Sequence, residues 1–156
     1  MERWKLVLSK VKTAVNLEGE ERSLFLVSYI LLPLVDISLR FRGVRRTATT
    51  LAKRCPQPEP DKIVELSEVR RVVQMVKLAV KYSPPWASCL RKSLVLWYLL
   101  RRKGIETELR IGSRRNQGKF ESHAWIEYQG MVLNDTPNVR QHFTMFKQPL
   151  NLKLLG

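Results

Sequence analysis

Three residues of this 156-residue chain carry side chains that together could perform nucleophilic acyl chemistry: Cys89, His123 and Asp135. A thiol becomes a strong nucleophile once ionised, and a helix N-terminus and an imidazole both favour that ionisation. A carboxylate can in turn orient the imidazole and stabilise its charged form. Each residue also has a plainer reading. A cysteine in an apolar helix is a small buried hydrophobe, a histidine beside Ala-Trp in a strand is structural, and an aspartate between Asn134 and Thr136-Pro137 is a turn former. Spacing by itself leaves both sets open.

The elements that must position these residues are readable from periodicity. After Tyr82-Ser83-Pro84-Pro85, the apolar residues Leu90, Leu94, Trp97, Tyr98 and Leu100 take helical spacing up to Arg101-Arg102-Lys103-Gly104. A Pro-Pro entry, a basic last turn and a Gly stop delimit a helix of about 15 residues with Cys89 in its first turn. Beyond Gly104, Ile105, Thr107, Leu109 and Ile111 alternate with charged residues, as in a strand. Segments 123–128 and 131–135 read as two more strands, and the basic stretch Gly112 to Gly118 as a loop. A two-residue turn at Gln129-Gly130 would put His123 and Asp135 on opposite sheet faces. A three-residue turn, Tyr128-Gln129-Gly130, opposes His123 to Asp135 and is the expected register, because it lets the carboxylate hold the ring. Trp125 and Glu127 then share the His123 face. Trp125 and Trp86 are candidates to wall the site.

Upstream, Trp4, Val7, Leu8, Val11 and Val15 predict a surface helix over 3–17, and Glu20 with Glu21 opens a second helix that Pro33 should kink or end. Six basic residues and no acid occupy 40–54, followed by the alternate-proline connector Cys55-Pro56-Gln57-Pro58-Glu59-Pro60. Ile63, Leu66, Val69, Val73, Val76 and Val80 predict a helix of about 18 to 20 residues. The expected fold class is α+β: a single domain over 1–156, with 1–60 mostly helical and 61–156 forming a core of helices beside a small antiparallel sheet.

A net charge of +14 favours an anionic partner or surface. Neither basic patches interleaved with aromatics nor a helix-turn-helix pattern is evident, so nucleic acid is not the expected partner. Two cysteines and two histidines lack the spacing of a disulfide framework or a zinc finger, and no phosphate-cradling motif is present. No metal or cofactor is expected. The charged start has no signal-peptide order, which predicts a cytoplasmic protein. The uncharged run Leu24 to Val35 is shorter than the roughly 20 residues of a membrane span and is expected to be buried in protein. Its basic flank also suits peripheral contact with an anionic membrane.

The segment from Cys89-Leu90 through Lys103-Gly104, then Leu109-Arg110-Ile111-Gly112, then Phe120-Glu121-Ser122-His123-Ala124-Trp125-Ile126-Glu127 to Gly130, closely resembles the lasso-peptide biosynthesis B2 proteins. These are leader peptidases built on a minimal transglutaminase-like cysteine-protease core. The resemblance is strongest over residues 84 to 135. It implies Cys89 as nucleophile, His123 as base and Asp135 as orienting acid. It further implies cleavage of a leader from a ribosomally made precursor, freeing the core α-amine for an ATP-dependent macrocyclase. No fused leader-binding domain is expected, so the resemblance implies the discrete form that works with a separate leader-recognition protein. A transglutaminase-like acyltransferase and a non-catalytic basic peptide-binding module are the alternatives.

Overall fold

The computed structural model describes residues 18–57, 64–83 and 88–146. The helix expected over 3–17, Trp86 with the Pro-Pro entry, and the later part of the alternate-proline connector lie outside them. The described elements are α1 (Gly19–Ala52), α2 (Leu66–Tyr82), α3 (Cys89–Arg102), β1 (Glu108–Asn116), β2 (Lys119–Tyr128), β3 (Met131–Val132), the short α4 (Val139–His142) and β4 (Thr144–Met145). The strands form one antiparallel sheet in the order β3-β2-β1-β4. The fold is therefore α+β, with helices on one side of a small sheet.

Helix α3 is the centre of the packing, in contact with α1, α2, β1 and β2. Ser88 caps its start by accepting a hydrogen bond from the Arg91 N–H. Every residue from Ser93 to Arg101 is buried, so the helix is covered nearly all round. Its end is set by Gly104 at φ 76°: the Gly104 N–H donates to the Arg101 carbonyl and the Ile105 N–H to the Leu100 carbonyl. That pair of bonds is a Schellman closure, with Ile105 and Leu100 both buried beneath it. Helix α2 packs Val69, Val72, Val73, Val76 and Ala79 inward at spacings of three and four. Lys103 fastens the bundle by bonding Glu20 of α1 and Glu68 of α2.

Helix α1 departs from expectation at Pro33, which neither ends it nor carries the break. The non-helical residue is Gly43, at φ 73° and ψ 174°, a backbone region accessible essentially only to glycine. The Leu24 to Val35 run also differs from expectation. Phe25, Ser28, Leu32 and Val35 are buried, but Leu26, Ile30 and Leu34 on the other side are exposed.

The Gly112 to Gly118 stretch is not a loop. Residues 112–116 continue β1, and only Gln117 and Gly118, both with positive φ, make the turn. The basic residues sit on a hairpin arm, where charges are solvated and paired, as Arg114 is with Glu121.

The Gly43 geometry yields a stability prediction. Gly43→Ala meets no atom within 4 Å of the added methyl, so its cost is backbone strain alone. It should lower unfolding free energy by about 1 to 3 kcal/mol, read by thermal denaturation. An unchanged melting temperature would contradict the assigned break.

Candidate active site

Cys89 is the first residue of α3, where the leading amides lack intrahelical partners and the positive end of the helix dipole faces any anion formed there. It is half-buried and not in a disulfide. Cys55, also a free thiol, is a contrast. Its sulfur lies 3.4 Å from the Leu51 carbonyl and 3.8 Å from the Tyr98 carbonyl, and burial pushes its thiol up despite nearby Arg101 and Arg102. Such surroundings keep a thiol protonated.

His123 lies midway along β2, directly opposite Gly112 of β1. A Cβ at Gly112 would come within 2.9 Å of the Phe143 Cβ and 3.0 Å of the Trp125 ring. The missing side chain is what lets Phe143 stack on the His123 ring, at 5.0 Å between centroids. Trp125, two residues along the same face, stacks at 6.0 Å and is itself fully buried. It backs the imidazole. Its indole N–H donates to Glu127, 2.8 Å away, and Glu127 is held by Arg140 at 2.7 Å and Arg110 at 3.2 Å. Burial acts to raise the Glu127 carboxyl, but these donors together hold it below its usual range. A cavity of about 380 Å³ opens beside Glu127, Arg110 and Arg140, toward the end of the sheet; neither His123 nor Asp135 lines it.

The structure joins His123 to Asp135: the ring Nε2 contacts a carboxylate oxygen. The register that does so is not the expected one. Tyr128 pairs with Met131 and Glu127 with Val132, across a two-residue turn in which Gln129 and Gly130 have φ 47° and 79°. Carried onward, that ladder would place His123 and Asp135 on opposite faces. It is not carried onward. β3 is two residues long, the Leu133 N–H donates to the Ile126 carbonyl at 2.9 Å, and the returning bond goes elsewhere. The Ile126 N–H donates to the side-chain Oδ1 of Asn134 at 2.8 Å. Asn134 thus supplies the acceptor that a further backbone pair would have supplied, and the bent segment 133–135 brings Asp135 back to the His123 ring.

The same asparagine reaches the cysteine helix. Its Nδ2 donates to Ser93 Oγ at 2.9 Å, and Ser93 Oγ donates to the Ala124 carbonyl at 3.0 Å. Ser93 is one turn beyond Cys89 on the same helix face, and Ala124 adjoins His123. This clamp fixes the helix that carries the thiol against the strand that carries the imidazole. Ser93 and Asn134 were not singled out from the sequence. The available signal was a serine four residues after Cys89, at the head of the apolar run Leu94 to Leu100.

Burial acts to raise Asp135, but its bonds to His123 and to the Thr136 N–H and hydroxyl together hold it below its ordinary value. With Asp135 ionised, Nε2 carries the ring proton, and the neutral imidazole presents Nδ1 as its basic nitrogen. An imidazole held in that way by a carboxylate is equipped to act as a base. No cluster of three or more metal-ligating side chains occurs among the described residues.

Residues 31–147 match the family described as the transglutaminase-like superfamily, and the chain belongs to it. Over 62 residues, 40% of this chain, it is 36% identical to the microcin J25-processing protein McjB of Escherichia coli. The match spans 29% of that protein. No solved structure gives a significant match.

Asn134→Ala leaves the Ile126 N–H without its acceptor and removes the donor to Ser93 Oγ, whose own bond to the Ala124 carbonyl remains; it should destabilise by about 1 to 3 kcal/mol in chemical denaturation, and a loss within error would mean the clamp bears no load. Asp135 is lowered by folding, so its stabilisation is present above its ordinary value of 3.8 and lost as pH falls through the lower folded value. The difference in melting temperature between wild type and Asp135→Asn, measured from neutral pH downward, should therefore shrink below about pH 4. A gap constant with pH would contradict the ionised contact.

Proposed function

We propose that this member of the transglutaminase-like superfamily is a cysteine peptidase that removes the leader from a ribosomally made lasso-peptide precursor. The observation that carries the reading is the hydrogen-bonded His123 and Asp135 pair, on a strand clamped through Ser93 to the helix that begins with Cys89. The local likeness to a protein named for processing microcin J25 supports the choice of substrate.

In the proposed reaction Nδ1 of His123 takes the Cys89 proton, and the thiolate attacks the carbonyl at the leader–core junction. The Cys89 backbone N–H, free of an intrahelical partner at the helix start, donates to the developing oxyanion. Imidazolium protonates the leaving amine, the C–N bond breaks, and the leader remains as a thioester on Cys89. Water, activated by His123, then releases the leader acid. Asp135 holds the tautomer and stabilises the charged ring throughout. The product that leaves first is the core peptide with a free α-amine, the nucleophile that an ATP-dependent macrocyclase needs.

On this reading the partners are the precursor peptide, a separate leader-recognition protein and the cyclase, and the reaction is cytoplasmic. Arg115, exposed on the β1–β2 arm, adds positive potential that favours acidic peptide. The superfamily name keeps one second reading in view, acyl transfer to an amine in place of water.

The test is mass spectrometry of a leader–core peptide incubated with the recognition protein and enzyme. Wild type should release leader acid and free-amine core, Cys89→Ala and His123→Ala should release neither, and Asp135→Asn should turn over about tenfold or more slowly. Leader release by Cys89→Ala would overturn the peptidase assignment, and an amine adduct without hydrolysis would assign the transferase.

A further inference from the structure

One feature of the fold has no part in the proposed chemistry. Leu26, Ile30, Leu34, Ile37 and Phe41 are exposed apolar residues of α1, and Phe41 is 84% exposed. Their spacings of four, four, three and four residues align them along one face of the helix. The ridge is about 22 Å long at 1.5 Å per residue. The opposite face, with Phe25, Leu32 and Val35, is in the core.

The charge at the end of the ridge is of one sign. Arg40, Arg42, Arg45 and Arg46 are exposed around and after Phe41, and the sequence has no acidic residue from Ile37 to Pro58. Asp36, the nearest carboxylate, already bonds Arg40 and the buried Arg91. At the other end Glu20 is paired with Arg71 and Lys103.

We propose that this ridge is a docking surface for an anionic lipid bilayer, on which α1 lies parallel to the membrane plane. The aliphatic side chains and Phe41 enter the boundary between headgroups and acyl chains, and the guanidinium groups of Arg42, Arg45 and Arg46 meet lipid phosphates. A row of aliphatic side chains beside exposed arginines that outnumber the neighbouring carboxylate matches the layered chemistry of that interface.

By length and composition α1 could cross a membrane, but its inward face argues that it lies on one. Spanning would strip α2 and α3 of their cover and carry the pair between Asp36 and Arg91 into hydrocarbon. The surface is independent of the peptidase reading. It would keep an enzyme acting on peptides at the membrane face.

The experiment is co-sedimentation of the full chain with phosphatidylcholine vesicles, with and without phosphatidylglycerol, alongside light scattering in the absence of lipid. Wild type should bind phosphatidylglycerol-containing vesicles at least about tenfold better than pure phosphatidylcholine, and high salt should weaken that binding. Leu34→Glu and Ile30→Gln should each reduce binding by about tenfold or more. Melting temperatures should stay unchanged, because both side chains face out of the core. Arg45→Glu with Arg46→Glu should abolish the preference for anionic lipid. Wild type left in the supernatant with anionic vesicles would overturn the proposal, as would variants of the apolar ridge that bind like wild type. A dimer in solution that Leu34→Glu dissociates, without vesicle binding, would instead assign the ridge to a second copy of the chain.

Discussion

The contact between His123 and Asp135 depends on where the ladder between β2 and β3 stops. In a two-residue hairpin the strands pair residue for residue, and each further pair would have turned Asp135 toward the face away from the imidazole. Asn134 ends the pairing by offering its side-chain carbonyl to the Ile126 N–H, so no backbone donor is left unsatisfied where the strand bends away. The exchange of one acceptor for another is close to neutral in hydrogen-bond energy. Its geometric effect is large, because it releases 133–135 from the sheet and lets the carboxylate return to the ring.

Around that contact, positional control is layered. Gly112 leaves room for Phe143, which with Trp125 holds the imidazole in a stack. Trp125 is fixed in turn by Glu127, whose buried charge is matched by two arginines from β1 and α4. A lone buried carboxylate would be strongly unfavourable, and the paired one serves as a rigid anchor. Ser93 and Asn134 tie this sheet to α3. The thiol-bearing helix start and the imidazole therefore belong to one connected set of bonds and not to two elements that merely pack together.

Much of the architecture was legible in the sequence. The valine pattern and the Gly104 stop marked α2 and α3 to within a few residues, because both helices are amphipathic or cleanly punctuated. The pairing of His123 with Asp135 was expected, but by the wrong register. The turn uses Gln129 at positive φ, which residue type does not advertise, and the escape of Asp135 relies on a side chain replacing a backbone acceptor, which no periodicity records. The arm at 112–118 read as a loop because both of its faces are polar, which removes the alternation that marks a half-buried strand. Pro33 drew attention as the helix breaker, while the backbone break fell to Gly43, ten residues later.

The proposed activation of Cys89 by His123 is tested most directly by limited alkylation with peptide mapping. At neutral pH iodoacetamide should modify Cys89 well ahead of Cys55, whose thiol is buried and held up. His123→Ala should slow Cys89 by about tenfold or more while leaving Cys55 unchanged. Equal reactivity of the two cysteines, or a Cys89 rate indifferent to the loss of His123, would contradict it.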